Sequence, residues 1–185
     1  MIYVNTSEVP QYLEWFAKAG IVTELRGDPG VGKSSLIRQF AEKFNLCYID
    51  KRVTQMDPPM INGLEYLDHE TKKTVTYLPD WIPLEGDPIP EGYDGWLLNF
   101  EERPDAEDCM KKALYQILLE RTAMGRALHS KVIITSTGNM LDTNCYAEED
   151  SDAIKTRKAD IYIKSDLDTF LNHCYSEGIS NYITS

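Results

Sequence analysis

The chain has 185 residues, 42% apolar and 26% charged, a balance that suits one globular domain with a full core. Its 30 acidic and 19 basic residues leave a formal charge of −11. The basic residues are scattered, the densest groups being Lys72-Lys73, Lys111-Lys112 and Lys155 to Lys158, and so acidic a surface disfavours nucleic-acid binding. Cys47, Cys109, Cys145 and Cys174 form no CxxC pair, and His69, His129 and His173 lie far apart. That spacing argues against a disulfide framework or a zinc site and for reduced thiols. With no basic n-region, apolar h-region or 18-residue apolar run, a soluble cytoplasmic protein without a membrane span is expected.

In chain order, Ser7 is placed to cap a helix running to about Lys18, with Tyr12, Leu13, Trp15 and Phe16 on its apolar side and Gly20 after it. GIVTEL then reads as a short buried strand entering a glycine-rich loop. After the loop, KSSLIRQFAEKF has Leu36, Ile37, Phe40, Ala41 and Phe44 at helical spacing, and LCYID (46–50) reads as the next strand. Strand, loop, helix and strand make a βαβ unit and predict a parallel sheet. From Val53 to Gly92 the pattern dissolves. The segment holds every proline except Pro10, Pro29 and Pro104, and DHETKKTVTY suggests a hairpin within it. It is expected to be an irregular, functional insertion between the second and third strands. GWLLNF (95–100) predicts the third strand, DAEDCMKKALYQILLER (105–121) one amphipathic helix, KVIITSTGN (131–139) a fourth strand and ADIYIK a fifth. Ser165 is placed to cap a last helix, with Asp168 at its third position and Gly178 after it.

Residues Gly27 to Ser34, GDPGVGKS, fit GxxxxGK[ST] at each fixed position. Glycines let such a loop turn its backbone N–H groups inward around phosphate oxygens, and the following helix points its positive end at the same anion. The nucleotide-binding set is Gly27, Asp28, Pro29, Gly30, Val31, Gly32, Lys33, Ser34 and Ser35. Lys33 is expected to reach the β and γ phosphates of ATP, and the Ser34 hydroxyl to ligate Mg2+.

Hydrolysis also needs acids beside the γ phosphate, and these suit the end of a buried strand. The third strand ends in Glu101-Glu102. Successive strand residues point to opposite faces, so Glu101 is expected at the metal and Glu102 at the attacking water. At the tip of the neighbouring strand Asn139, with Thr137 as the weaker candidate, can hydrogen-bond that water or the γ phosphate.

These elements together resemble an AAA+ ATPase, more narrowly the MoxR-like group, over roughly Val22 to Ile183. GDPGVGKSS is similar to the group's Walker A, and GWLLNFEERPDAEDCMKKALYQILLER to Walker B with its helix. STGNMLDTN resembles sensor 1 and SDAIKTRKADIYI the arginine-finger region, while TQMDPPMINGLEYL and YLPDWIP match intervening stretches. The resemblance implies an α/β P-loop NTPase core over residues 1–185, with a five-stranded parallel sheet sandwiched by helices. It assigns phosphate contact to Lys33, Mg2+ to Ser34 and Glu101, water activation to Glu102 and sensor 1 to Asn139. Arg157 is the candidate arginine finger, acting on ATP held by a neighbouring subunit. The implied assembly is a homo-oligomeric ring, a hexamer when a small helical lid is present, that hydrolyses ATP to remodel a protein client. Two departures stand out: Glu101 occupies the usual Asp position, and the sequence stops where the lid would begin. They keep open a nucleotide-gated binding module with weak hydrolysis, and, less favoured because of the charge, a DNA-linked loader or motor.

Overall fold

The computed structural model describes residues 2–140, Ile154 and 156–164. Its centre is a parallel sheet of six strands in the order β1-β10-β2-β9-β6-β3. These are β1 (Ile2–Asn5), β2 (Val22–Arg26), β3 (Leu46–Arg52), β6 (Gly95–Glu101), β9 (Val132–Gly138) and β10 (Lys158–Lys164). Five were expected. The sixth, β1, is a four-residue edge strand paired in register with Ile161 to Lys164. So short a segment shows too little alternation to announce itself, and it forms because β10 offers it an unpaired edge.

Helices cover both faces, as expected for an α/β P-loop core. Strand residues alternate between faces. Leu25, Leu97, Ile161 and Ile163 bury against α1 (Val9–Lys18) and α2 (Lys33–Lys43), through Val9, Leu13, Ile37, Phe40 and Ala41. On the opposite face Val22, Trp96, Leu98, Phe100, Val132 and Ile134 pack on Met110, Leu114, Ile117 and Leu118. Burial on both faces explains why β6 reads as an almost unbroken apolar run.

Two helix expectations are corrected. The N-cap of α1 is Glu8, not Ser7, and its carboxylate turns back to accept the Asn5 N–H at 2.9 Å. The stretch 105–121 is not one helix. A 3-10 turn at Arg103–Asp105 precedes α4 (Asp108–Ala113), and a π turn spans Gln116–Glu120. The π turn widens the backbone where Ile117 and Leu118 enter the core, and Arg121 follows it with a left-handed backbone. Arg121 then donates to the carbonyl of Val132 at 2.7 Å, pinning the segment to β9.

The insertion is structured. A single turn α3 (Pro59–Asn62) leads through Gly63 into the hairpin of β4 (Leu64–Asp68) and β5 (Lys73–Tyr77), close to where DHETKKTVTY placed it. Ile61, Ile82 and Leu84 reach down into the main core. The insertion also meets the small β7–β8 hairpin (Thr122–Ala123, Arg126–Ala127), with Glu85 N–H donating to the Ala127 carbonyl at 2.9 Å. No helix of the described residues is long and apolar enough to cross a membrane. The predicted last helix, with Ser165, Asp168 and Gly178, lies outside the described residues.

Candidate nucleotide site

The glycine-rich loop joins the end of β2 to the start of α2. Gly27 is buried, and a Cβ there would stand 3.0 Å from Val31 Cγ1 and 3.3 Å from the Ile163 carbonyl oxygen. Asp28, Pro29 and Gly30 project into solvent, and Val31 is half-buried. Gly30 and Gly32 take φ of +82° and +92°, which only glycine adopts without strain. Gly32 caps α2 and brings no side chain to it, so the first-turn N–H groups of an eleven-residue helix are left to meet an anion. Ser34 and Ser35 begin that helix, Ser34 half-buried and Ser35 exposed.

Lys33 Nζ donates to the carbonyls of Gly27 at 2.8 Å and Asp28 at 3.0 Å, closing the loop with its own cation. Burial pulls this ammonium below its ordinary value, against the opposing fields of Asp28, Asp105 and Glu101. Glu101 is buried at the end of β6, on the α2 side of the sheet, as expected for a group facing the loop.

Glu102 departs from the strand-alternation argument. Its backbone is left-handed (φ 55°), so the chain has already turned out of β6 at this residue. Its carboxylate accepts from Thr54 Oγ1 at 2.5 Å and lies 3.5 Å from Arg52 Nε, while Arg52 Nη2 donates to Glu101 at 3.1 Å. Arg52 and Thr54, at and just beyond the end of β3, thus grip both acids. Sequence reading missed them because β3 extends to Arg52, which is registered opposite Glu101.

Asn139 follows β9 directly, and its Nδ2 donates to Asp105 Oδ2 at 3.1 Å. Asp105, which sequence reading placed only as a helix start, is thereby tied to the candidate site through Asn139. Thr137 is buried inside β9. Arg157 is exposed in the turn before β10. Lys158 is registered with Val22, at the opposite end of β2 from the loop, so Arg157 starts six residues, about 20 Å, along the strands from Gly27. It does not join the site of its own chain.

Beneath the loop lies a second missed group. Glu24, wholly buried in β2, takes Arg103 Nε at 2.8 Å, Lys158 Nζ at 2.7 Å, Arg26 Nη2 at 2.6 Å and Ser136 Oγ at 2.9 Å. Burial alone would raise this carboxyl. The Arg103, Lys158 and Arg26 charges outweigh it and hold Glu24 well below the ordinary carboxylate range. The signal was present in VTELR, since two charges inside a buried strand need partners.

The residues fit Mg-ATP. Open backbone donors and a cation lie at the end of the sheet where Glu101 and Asn139 stand, with the Ser34 hydroxyl at the helix start. Among comparisons with known proteins, no family model matches the chain and no curated protein matches its sequence. A solved structure, that of a "putative ATPase" from Cytophaga hutchinsonii, matches over 95% of this chain with a TM-score of 0.62 and 15% identity. The chain spans about half of that protein, 51% of its length. At this identity the likeness establishes the shared fold alone: an α/β core with a parallel sheet flanked by helices.

Proposed function

We propose that this chain is the nucleotide-binding core of an AAA+ ATPase of the MoxR-like group, which binds ATP with Mg2+ and hydrolyses it in a ring of its own copies to remodel a protein partner. The observation that carries the reading is the convergence on Lys33. The lysine closes a GxxxxGK[ST] loop at a helix start and feels the charges of Asp28, Asp105 and Glu101, and the parallel register brings the ends of β6 and β9, with Glu101 and Asn139, to the same end of the sheet as the loop. In this reading the loop N–H groups and Lys33 bind the phosphates, while Ser34 and Glu101 hold Mg2+, which supplies Lewis-acid stabilisation of the transferred phosphoryl group. Glu102 polarises the attacking water and Asn139 orients it. Arg157, remote from its own loop, serves ATP on a neighbouring subunit.

The test is Mg-ATP binding and turnover by the chain, by Lys33→Ala and by Glu102→Gln. At about 100 times its Kd the ligand stabilises the wild type by roughly 2.7 kcal/mol and Lys33→Ala not at all. Glu102→Gln keeps the stabilisation and loses turnover. Equal turnover in all three refutes hydrolysis at this site, and a solution mass that stays that of a single chain in Mg-ATP refutes the ring. A second reading, a nucleotide-gated binding module with weak hydrolysis, draws on the Thr54 and Arg52 grip on Glu102 and on Glu101 in place of Asp. Tight ATP binding without phosphate release distinguishes it.

A further inference from the structure

We propose that Arg103 is a positioning residue, whose ion pair with Glu24 ties the Glu101-Glu102 turn to the strand carrying the phosphate loop and sets where those carboxylates stand relative to Lys33. The inference rests on the function proposed above. Glu102 sits in a left-handed backbone that a non-glycine residue holds only when its surroundings over-determine it. The next three residues each supply a restraint. Arg103, 1% exposed, reaches across 79 positions of sequence to Glu24, three residues before Gly27. Pro104 packs on β9 so closely that a Cβ on Gly138 would stand 2.5 Å from Pro104 Cγ and 2.7 Å from Cδ. Asp105 closes the turn, its N–H donating to the Glu102 carbonyl at 3.1 Å while its carboxylate accepts from Asn139.

The turn is therefore locked to β2, to β9 and to Asn139 in succession. Stability alone does not call for ions here, because well-packed apolar groups commonly replace a buried ion pair without loss. What the pair adds is a directed link between two parts of one site. Glu24 retains Arg26, Lys158 and Ser136 when Arg103 is removed, so Arg103→Met is expected to fold.

The test compares the wild type with Arg103→Met, Arg103→Lys and, as an independent disturbance of the same turn, Gly138→Ala. Melting, ATP affinity with and without Mg2+, kcat and KM are measured for each. The expected result is folded variants, ATP affinity in EDTA within a few-fold of wild type and kcat lower by on the order of tenfold to a hundredfold, with Arg103→Lys recovering part of the loss. Unchanged kcat in both Arg103→Met and Gly138→Ala overturns the proposal, and so does a fall in metal-free affinity that matches the fall in kcat, which marks a merely structural role. If Arg103→Met does not fold, Gly138→Ala decides by the same criteria. If the wild type binds ATP without turning it over, hydrolysis fails as a reading, and the Mg2+ dependence of ATP affinity becomes the measure. Loss of that dependence in the folded variants then supports the positioning role, and an equal dependence overturns it. No ATP binding by the wild type overturns both.

Discussion

Strand β2 carries Glu24 and Arg26 at full burial, whereas the β4–β5 hairpin carries Leu64, Tyr66, Val75 and Tyr77 in water, each at least 42% exposed. The register puts all four hairpin residues on one face, since Leu64 opposes Tyr77 and Tyr66 opposes Val75. The two regions reverse the usual rule of apolar inside and charged outside. In β2 the inversion is compensated by the ion pairs around Glu24, because ions withdrawn from water need partners. In the hairpin nothing comparable happens. A two-stranded ribbon is marginal by itself, and this one is anchored through Gly63 and α3 rather than by its apolar face. Burial of charge therefore marks a part of the molecule that must stay fixed. The exposed apolar face belongs to a part whose composition the fold does not decide.

The largest expected effect breaks the β2 side. Glu24→Gln strands Arg26, Arg103 and Lys158 without their common anion, and a loss of about 3–5 kcal/mol is expected in denaturant unfolding at neutral pH. The sign of the pH effect follows from a folded-state value below the ordinary 4.5. The pairing stabilises fully above that pH and is lost as acidification proceeds towards the folded value. Wild-type melting temperature should fall below pH 4.5, and Glu24→Gln should flatten that limb.

The hairpin breaks at its anchor. Gly63 has φ of +80°, and a Cβ there would lie 2.1 Å from the Tyr77 carbonyl oxygen. Gly63→Ala should cost about 2 kcal/mol, with faster amide exchange at 64–77 and unaltered Mg-ATP binding. A parallel loss of ATP binding would show that the two regions are coupled.

A smaller effect sharpens the site side. Thr54→Val removes the hydroxyl that engages Glu102. Freed from it, Glu102 should turn over ATP about fivefold faster at unchanged affinity, the scale of one net hydrogen bond. A slower rate would mean that Thr54 holds Glu102 in its working position.

Smallest of all, Tyr66→Ser on the exposed hairpin face should shift stability by less than about 0.5 kcal/mol. A larger loss would mean that this face is packed in the folded protein and would undo the contrast with β2.

Much of this was legible in sequence. GDPGVGKS announced the loop, the apolar runs at 46–50, 95–100 and 131–139 announced strands, and DHETKKTVTY announced the hairpin. Each signal is local: a fixed spacing, an alternation, a turn flanked by strand formers. The places of Glu101 at a strand end and Lys33 at a helix start were legible for the same reason. What escaped depends on pairing between distant segments. The edge strand Ile2–Asn5 exists only because β10 accepts it. The Arg52 and Thr54 grip on Glu102 depends on the β3–β6 register. The helix after β6 broke into α and π turns because tertiary packing overrode a uniform periodicity.

By itself, then, the sequence determined a glycine-rich loop between strand and helix, an α/β sheet and two acids at a strand end, all written within a few consecutive residues. Only the tertiary structure decided the partners of those acids. It brought Arg103 to Glu24 and Asn139 to Asp105, because which buried charges meet depends on strand order and register, and these are set by the packing of the whole sheet.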